Sequence, residues 1–204
     1  MMRFLTVLLL VAGCGGVSTN ENDDPDAATG SADGAPTTDA PMGPDGSGII
    51  PSTVFVTSSV HMANLGGRAG ADSICAARAN DGNVPGTFVA WLALGTDGAH
   101  VRLPTNRSWQ RVDGTLVASS RAQLISGSLA AAISLDETGV PVDQGAWTGT
   151  QADGTSDASG DCIGWTTSGA GIALTGATGA SDGTWTAEVG AGCGRIHHLY
   201  CFEI

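Results

Sequence analysis

Residues 51–204 predict an α+β fold, loop-rich and held by two disulfides. Three observations carry the prediction. A β-branched run is followed by one early alanine-rich helix. The second half sets short apolar bursts in glycine, serine and threonine. Four cysteines fall in the same stretch. An early helix and a late set of strands, without regular alternation, is the order of an α+β domain. The stretch has ordinary domain length, enough for a proper core.

The elements follow in order. Thr53-Val54-Phe55-Val56-Thr57 reads as the first strand, by its β-branched and aromatic content. A helix is expected from Gly67 to Asn80, with Ala71, Ile74, Cys75 and Arg78 at helical spacing and Asn80-Asp81-Gly82 as its stop. Thr87 to Leu94 (TFVAWLAL) reads as a buried strand, and Arg121 to Ile125 as one helical turn. From Ala146 onward, the bursts at Trp147, Ile163 to Thr166, Thr184 to Val189 and Leu199 to Phe202 read as short strands between long loops. Trp91, Trp147, Trp165 and Trp185 are assigned to the core.

The N-terminus carries one arginine, an apolar run from Phe4 to Val11, and small residues at Ala12-Gly13 before Cys14. That is the pattern of a cleaved secretory signal, residues 1–13. The run is too short to cross a bilayer, which takes about 20 apolar residues. Val11-Ala12-Gly13-Cys14 resembles a bacterial lipobox. The resemblance implies that Cys14 is lipidated, with several acyl chains, since one gives only marginal membrane binding. Gly15, where many inner-membrane lipoproteins have aspartate, points to the outer membrane of the cell envelope. Residues 15–50 have no aromatic or basic residue, four prolines, seven glycines and seven acids. Such a stretch buries too little apolar surface to offset its ordering entropy. Residues 14–50 are therefore expected to be a lipidated cysteine and a disordered acidic linker, spanning roughly 30–36 Å as a flexible coil.

The whole chain has a formal net charge of −12 and no lysine. Its 51–204 stretch has seven arginines against thirteen acids. An acidic surface without a basic cluster argues against nucleic acid and anionic lipid as partners. With Cys14 assigned to the lipid, Cys75, Cys162, Cys193 and Cys201 remain, at spacings of 87, 31 and 8 residues. Zinc prefers close CxxC-type pairs, so two disulfides are expected, with three connectivities open.

Phe88-Val89-Ala90-Trp91-Leu92 is similar to the central strand of C-type lectin-like domains. Asp161-Cys162, Gly183-Thr184-Trp185-Thr186, Cys193 and His198-Leu199-Tyr200-Cys201-Phe202-Glu203 follow the order of that fold's last three cysteines. Asn64-Leu65-Gly66-Gly67-Arg68-Ala69-Gly70-Ala71-Asp72 leading into Cys75, with Asp113-Gly114-Thr115, Asp136-Glu137 and Trp147-Thr148-Gly149-Thr150, resembles bacterial Len-type lipoproteins with an endostatin-like domain. The resemblance covers nearly all of 53–204. It implies the pairs Cys75–Cys201 and Cys162–Cys193, and an exported binding module for an extracellular protein or glycan; the rival readings are a structural envelope or adhesion component and an unrecognised hydrolase.

The resemblance invites calcium and sugar, but the usual Trp-Asn-Asp reads Trp185-Thr186-Ala187 here, and no Glu-Pro-Asn occurs. Calcium-dependent sugar binding at that site is not expected, and no cofactor is assigned. Asp153, Asp157 and Asp161 stand at intervals of four in a glycine-rich loop. They are the only calcium candidates, against the ordinary reading of a solvated turn. His197-His198 lie in a strand, where neighbours face opposite ways, and His61 and His100 are far off in sequence. Asp136-Glu137 reads as a loop surface or helix start. No nucleophile elbow is read and every cysteine is assigned, so a catalytic site is not expected. Trp109 lies in Asn106-Arg107-Ser108-Trp109-Gln110-Arg111, read as a polar loop. An exposed tryptophan beside Arg107 and Arg111 has the composition of an interface hot spot. Those three are the ligand-binding candidates, the alternative being that Trp109 caps the core.

Overall fold

A computed structural model describes residues 48–157 and 160–204. Cys14, the expected signal and nearly all of the expected linker lie outside them. The described residues form an α+β domain around one mostly antiparallel sheet of eight strands, ordered β4-β3-β1-β8-β5-β6-β7, with β2 also paired to β8. The strands are β1 Ile50–Val56, β2 Phe88–Ala90, β3 Arg107–Gln110, β4 Leu116–Ala118, β5 Gly145–Trp147, β6 Ile172–Ala177, β7 Val189–Gly192 and β8 His198–Glu203. Helix α1 runs Gly67–Asp81, and α2 is the single turn Arg121–Leu124.

The last strand is the hub. β8 pairs antiparallel with β1 (Phe55↔Cys201) and β2 (Ala90↔Cys201), and parallel with β5 (Trp147↔Leu199). Side-chain alternation then divides the core between two faces. Val54, Val56, Trp91, Trp109, Trp185, Tyr200 and Phe202 pack on one. Phe55, Phe88, Trp147, Trp165 and Leu199 pack on the other, against Ala71, Cys75 and Ala79 of α1. Cys75–Cys201 ties that helix to β8, and Cys162–Cys193 closes the glycine-rich half. Both pairs are those the resemblance implies.

Four expectations need correction. The Thr87–Leu94 strand is a ladder only at Phe88–Ala90. Beyond it the chain changes partner, with Trp91 N–H donating to Tyr200 O and Ala93 N–H to Thr148 O, so Leu92 is buried without a continuous strand. The polar loop at 106–111 contains a strand, β3, which lies parallel to β1 (Ile50↔Arg107). Ile163–Thr166 is not a strand. Cys162, Ile163, Gly164 and Trp165 all have positive φ, at 52°, 55°, 65° and 64°, and make one left-handed turn. Such a turn opposes the chirality of L-residues. It is pinned by Cys162–Cys193, by Asp161 Oδ1 accepting from Gly164 N–H at 2.8 Å, and by buried Trp165 donating from Nε1 to Ala93 O at 2.6 Å. Thr184–Val189 splits into a 3-10 turn at Gly183–Trp185, started by Asp182 Oδ1 accepting from Thr184 N–H, and the beginning of β7.

Candidate functional site

The candidate site is a cleft of about 490 Å³ on the α1 side of the sheet. Four segments wall it: Gly82–Pro85 after α1, Thr53 of β1, Gln110 with the hairpin turn Arg111–Asp113, and Glu137–Gly139. Each is fixed by local chemistry. Helix α1 ends with Gly82, Asn83 and Val84 donating their N–H groups to Arg78 O, Asn80 O and Ala79 O. Asn83 sits at φ 55°, a conformation asparagine tolerates at a helix end. Gly82 allows close approach, because a Cβ there would stand 2.4 Å from Glu137 O. The hairpin turn closes through Arg111 N–H to Thr115 O and Gly114 N–H to Arg111 O.

The acidic pair Asp136-Glu137 is buried, not a loop surface or helix start. Asp136 Oδ1 accepts from Thr138 N–H, Thr138 Oγ1 and Val140 N–H at 2.8–2.9 Å, and so builds the turn that floors one end of the cleft. The Glu137 side chain is only 1% exposed and pairs with Arg78 at 3.6 Å. Its carboxylate also accepts from Ser58 N–H at 2.9 Å and from the Ser58 hydroxyl. These contacts commit the buried Glu137 side chain to the structure, since removing one partner of such a network is costly.

The three ligand-binding candidates part company. Trp109 is fully buried, edge-on to Phe202, with Nε1 donating to Glu203 O at 3.1 Å. It is a core residue, because β3 turns its ring toward the sheet interior; the hot-spot reading of Trp109 is overturned. Arg107 donates to Ser52 Oγ at 2.6 Å, pairs with Glu203 at 3.6 Å, and does not line the cleft. Only Arg111 reaches it. Its guanidinium is held by Asp113 (2.8 Å), Thr115 (3.0 Å) and Ser134 (3.2 Å). The backbone N–H of Thr115, then the Arg111 guanidinium and the Thr115 hydroxyl, bond to the Asp113 carboxyl and keep it below the usual range. The lining side chains with no hydrogen-bond partner among the described residues are the Asn83 and Gln110 amides and the Thr53 hydroxyl. Val84 and Val112, partly buried on the core, add apolar wall. Sequence reasoning missed all five, because amides and valines scattered over three segments form no motif.

The loop aspartates do not converge. Asp153 Oδ1 accepts from Thr155 N–H and Oγ1, Asp157 Oδ1 from Gln151 Nε2, and Asp161 from Gly164 and Gly95 N–H. Among the described residues no three His, Cys, Asp or Glu side chains are grouped to hold a metal ion. Thr186, at the altered motif, turns its hydroxyl inward to accept from Trp91 Nε1 at 2.8 Å. The histidines differ from expectation in two respects: β8 begins at His198, so His197 lies just before the strand, and His197 forms an isolated antiparallel bridge with His61. Burial, then the nearby charges of His198 and Arg195, hold His197 below the usual histidine range, against a backbone hydrogen bond with Gly145 that raises it. His198 Nδ1 lies 2.6 Å from Thr57 O.

One pentapeptide escaped the sequence reading. Gly179-Ala180-Ser181-Asp182-Gly183 has Gly-x-Ser-x-Gly spacing. Ser181 lacks the positive φ of a strained elbow, and its carbonyl accepts from Leu129 N–H. A three-residue 3-10 turn follows in place of a helix, so the elbow geometry is absent.

No family model matches the sequence, and no curated protein matches it. The class that fold and cleft define is a disulfide-braced α+β domain with a preformed polar cleft.

Proposed function

We propose that the chain is a lipoprotein of the cell envelope, anchored at Cys14, which presents a non-catalytic binding domain of the C-type lectin-like, endostatin-like kind. Its ligand is an extracellular protein or glycan, recognised without calcium. Two features support the fold reading: the nested cysteine pairing, and the antiparallel pairing of first strand with last. The observation that carries the binding reading is the cleft itself. It combines a pre-fixed guanidinium with three uncommitted hydrogen-bonding side chains on rigid backbone, which lowers the ordering cost of binding.

The test is an array of glycans and extracellular-matrix proteins probed with the oxidised full chain carrying Cys14→Ser, with calcium and then with chelator. Selective binding that survives chelator and falls about tenfold or more in Asn83→Ala/Gln110→Ala is expected. Binding that needs calcium, or ignores that variant, contradicts the reading.

A second reading, hydrolysis, is favoured by one observation. Ser59 Oγ lies 2.8 Å from His61 Nε2, within reach of a nucleophile–base pair. Burial, then Arg78 and His198, hold His61 below the usual histidine range, in its neutral, basic form. Labelling by a serine-directed phosphonate that disappears in Ser59→Ala would establish it; no labelling removes it.

A further inference from the structure

The sheet ends in a strand that nothing among the described residues covers. β7 pairs on one side only, with β6. Its sequence, Val189-Gly190-Ala191-Gly192, has no charge, no proline and no side chain larger than valine. Natural edge strands are normally blunted by such features. The ladder shows which groups face outward. Leu174 O accepts from Thr148 and Gly149 N–H on the β5 side. Gly190, opposite Leu174, therefore stands at a non-bonded position of the β6–β7 ladder and turns its N–H and C=O to the open side. Gly192 N–H, two residues on, also faces the open side, while Gly192 C=O accepts from Arg195 N–H at 2.9 Å and Cys193 N–H returns to Gly171 O. Val189 is 56% exposed, and neighbouring Ile172 on β6 is 45% exposed.

The charges at the two ends of this edge are complementary. Glu188 precedes β7 and Arg195 follows it; both are exposed. Among the described residues neither side chain makes an ion pair or hydrogen bond, whereas six other ion pairs are formed. We propose that β7 is a self-association edge: a second copy of this chain adds its own β7 antiparallel across a twofold axis through Ala191. In that register Gly192 N–H donates to the partner copy's Gly190 C=O, twice by symmetry, and Gly190 N–H shares the Gly192 C=O that already accepts from Arg195 N–H. Glu188 then lies toward the 192–195 turn of the second copy, which carries Arg195, and the symmetry makes this pair twice. The small side chains let the backbones approach without a clash. A four-residue edge buries less than the ~1,000 Å² of a permanent interface, so the dimer is transient and salt-sensitive.

The test is sedimentation velocity of the oxidised full chain over a concentration series, with Cys14→Ser so that neither a thiol nor an acyl chain links copies. A monomer–dimer equilibrium weakened by salt is expected. Gly190→Lys abolishes it; a Cβ at Gly190 meets nothing closer than Ile172 Cδ1 at 3.7 Å, so the monomer tolerates the lysine. Glu188→Arg weakens the dimer roughly tenfold, and Glu188→Arg with Arg195→Glu restores it. A wild-type chain that stays monomeric throughout overturns the proposal. So does a dimer indifferent to Gly190→Lys, or a charge exchange that fails to restore. Should near-UV circular dichroism show that Gly190→Lys misfolds, the charge exchange alone decides.

Discussion

The two disulfides hold two different kinds of structure. Cys75–Cys201 sits where α1 packs on β8, among Phe55, Phe88 and Leu92, and every strand nearby has a ladder partner. Cys162–Cys193 sits in a region of glycine-rich turns, where order comes from pins: Asp161 on Gly164, Asp153 on Thr155, Asp182 on Thr184, and Trp165 on Ala93. The first region would keep its arrangement from packing alone; the second needs the crosslink to hold a left-handed turn. Apolar periodicity organises the one, and individual polar side chains the other.

Breaking the crosslinks sharpens the contrast most. In the chain-entropy model, a separation of 126 residues stabilises by ~5 kcal/mol and one of 31 by ~4 kcal/mol. Cys75→Ala/Cys201→Ala should therefore lower stability to denaturant slightly more than Cys162→Ala/Cys193→Ala. The patterns should differ more than the totals. Hydrogen exchange in the second variant should rise locally over 160–197, while β1, β2 and α1 stay protected. Uniform loss of protection in both would erase the distinction.

Trp165→Ala should cost about 3–5 kcal/mol, as for other buried aromatic truncations, with the same local exchange pattern. Glu137→Gln should cost about 1–3 kcal/mol, since it weakens a buried network with Ser58 and Arg78; urea titration measures both. In the opposite direction, Ile163 is 74% exposed and holds φ 55°. Ile163→Gly should leave stability unchanged or raise it by up to about 1 kcal/mol, relief of left-handed strain outweighing the chain entropy glycine adds. A clear loss in Ile163→Gly would mean that the isoleucine makes contacts worth more than its strain.

The last effect depends on pH. His61 and His197 both lie below the usual histidine range, burial being the first cause in each. The unfolded chain then binds protons more readily than the folded one. Their contribution is complete above the ordinary histidine range and is lost as pH falls through it toward the folded values. Tm should decline between neutral and mildly acidic pH, before the carboxylates titrate, and His61→Gln/His197→Gln should flatten that decline.

The same contrast governs what the sequence revealed. α1 was legible to within a residue of its end, because Ala71 and Cys75 repeat at helical spacing and Gly82 stops them. β1 and β8 were legible from dense β-branched and aromatic runs. Segment 163–166 reads as a strand because it is a short apolar run, and only the long-range bond from Cys162 to Cys193 reveals the turn. For Trp109 the sequence leaves contact surface and core cap both open, because its polar neighbours hide a strand whose partner, β1, lies more than fifty residues away. The cleft was nearly invisible. Arg111 stood out by its charge, but Asn83, Gln110 and Thr53 meet only through the fold.

The measurement closest to the central claim is hydrogen exchange of the oxidised full chain with and without the strongest array ligand, in chelator. Ligand protection is expected to concentrate at 82–85, 110–113 and 137–139. Protection centred on the 153–161 loop, with none in the cleft, would contradict it.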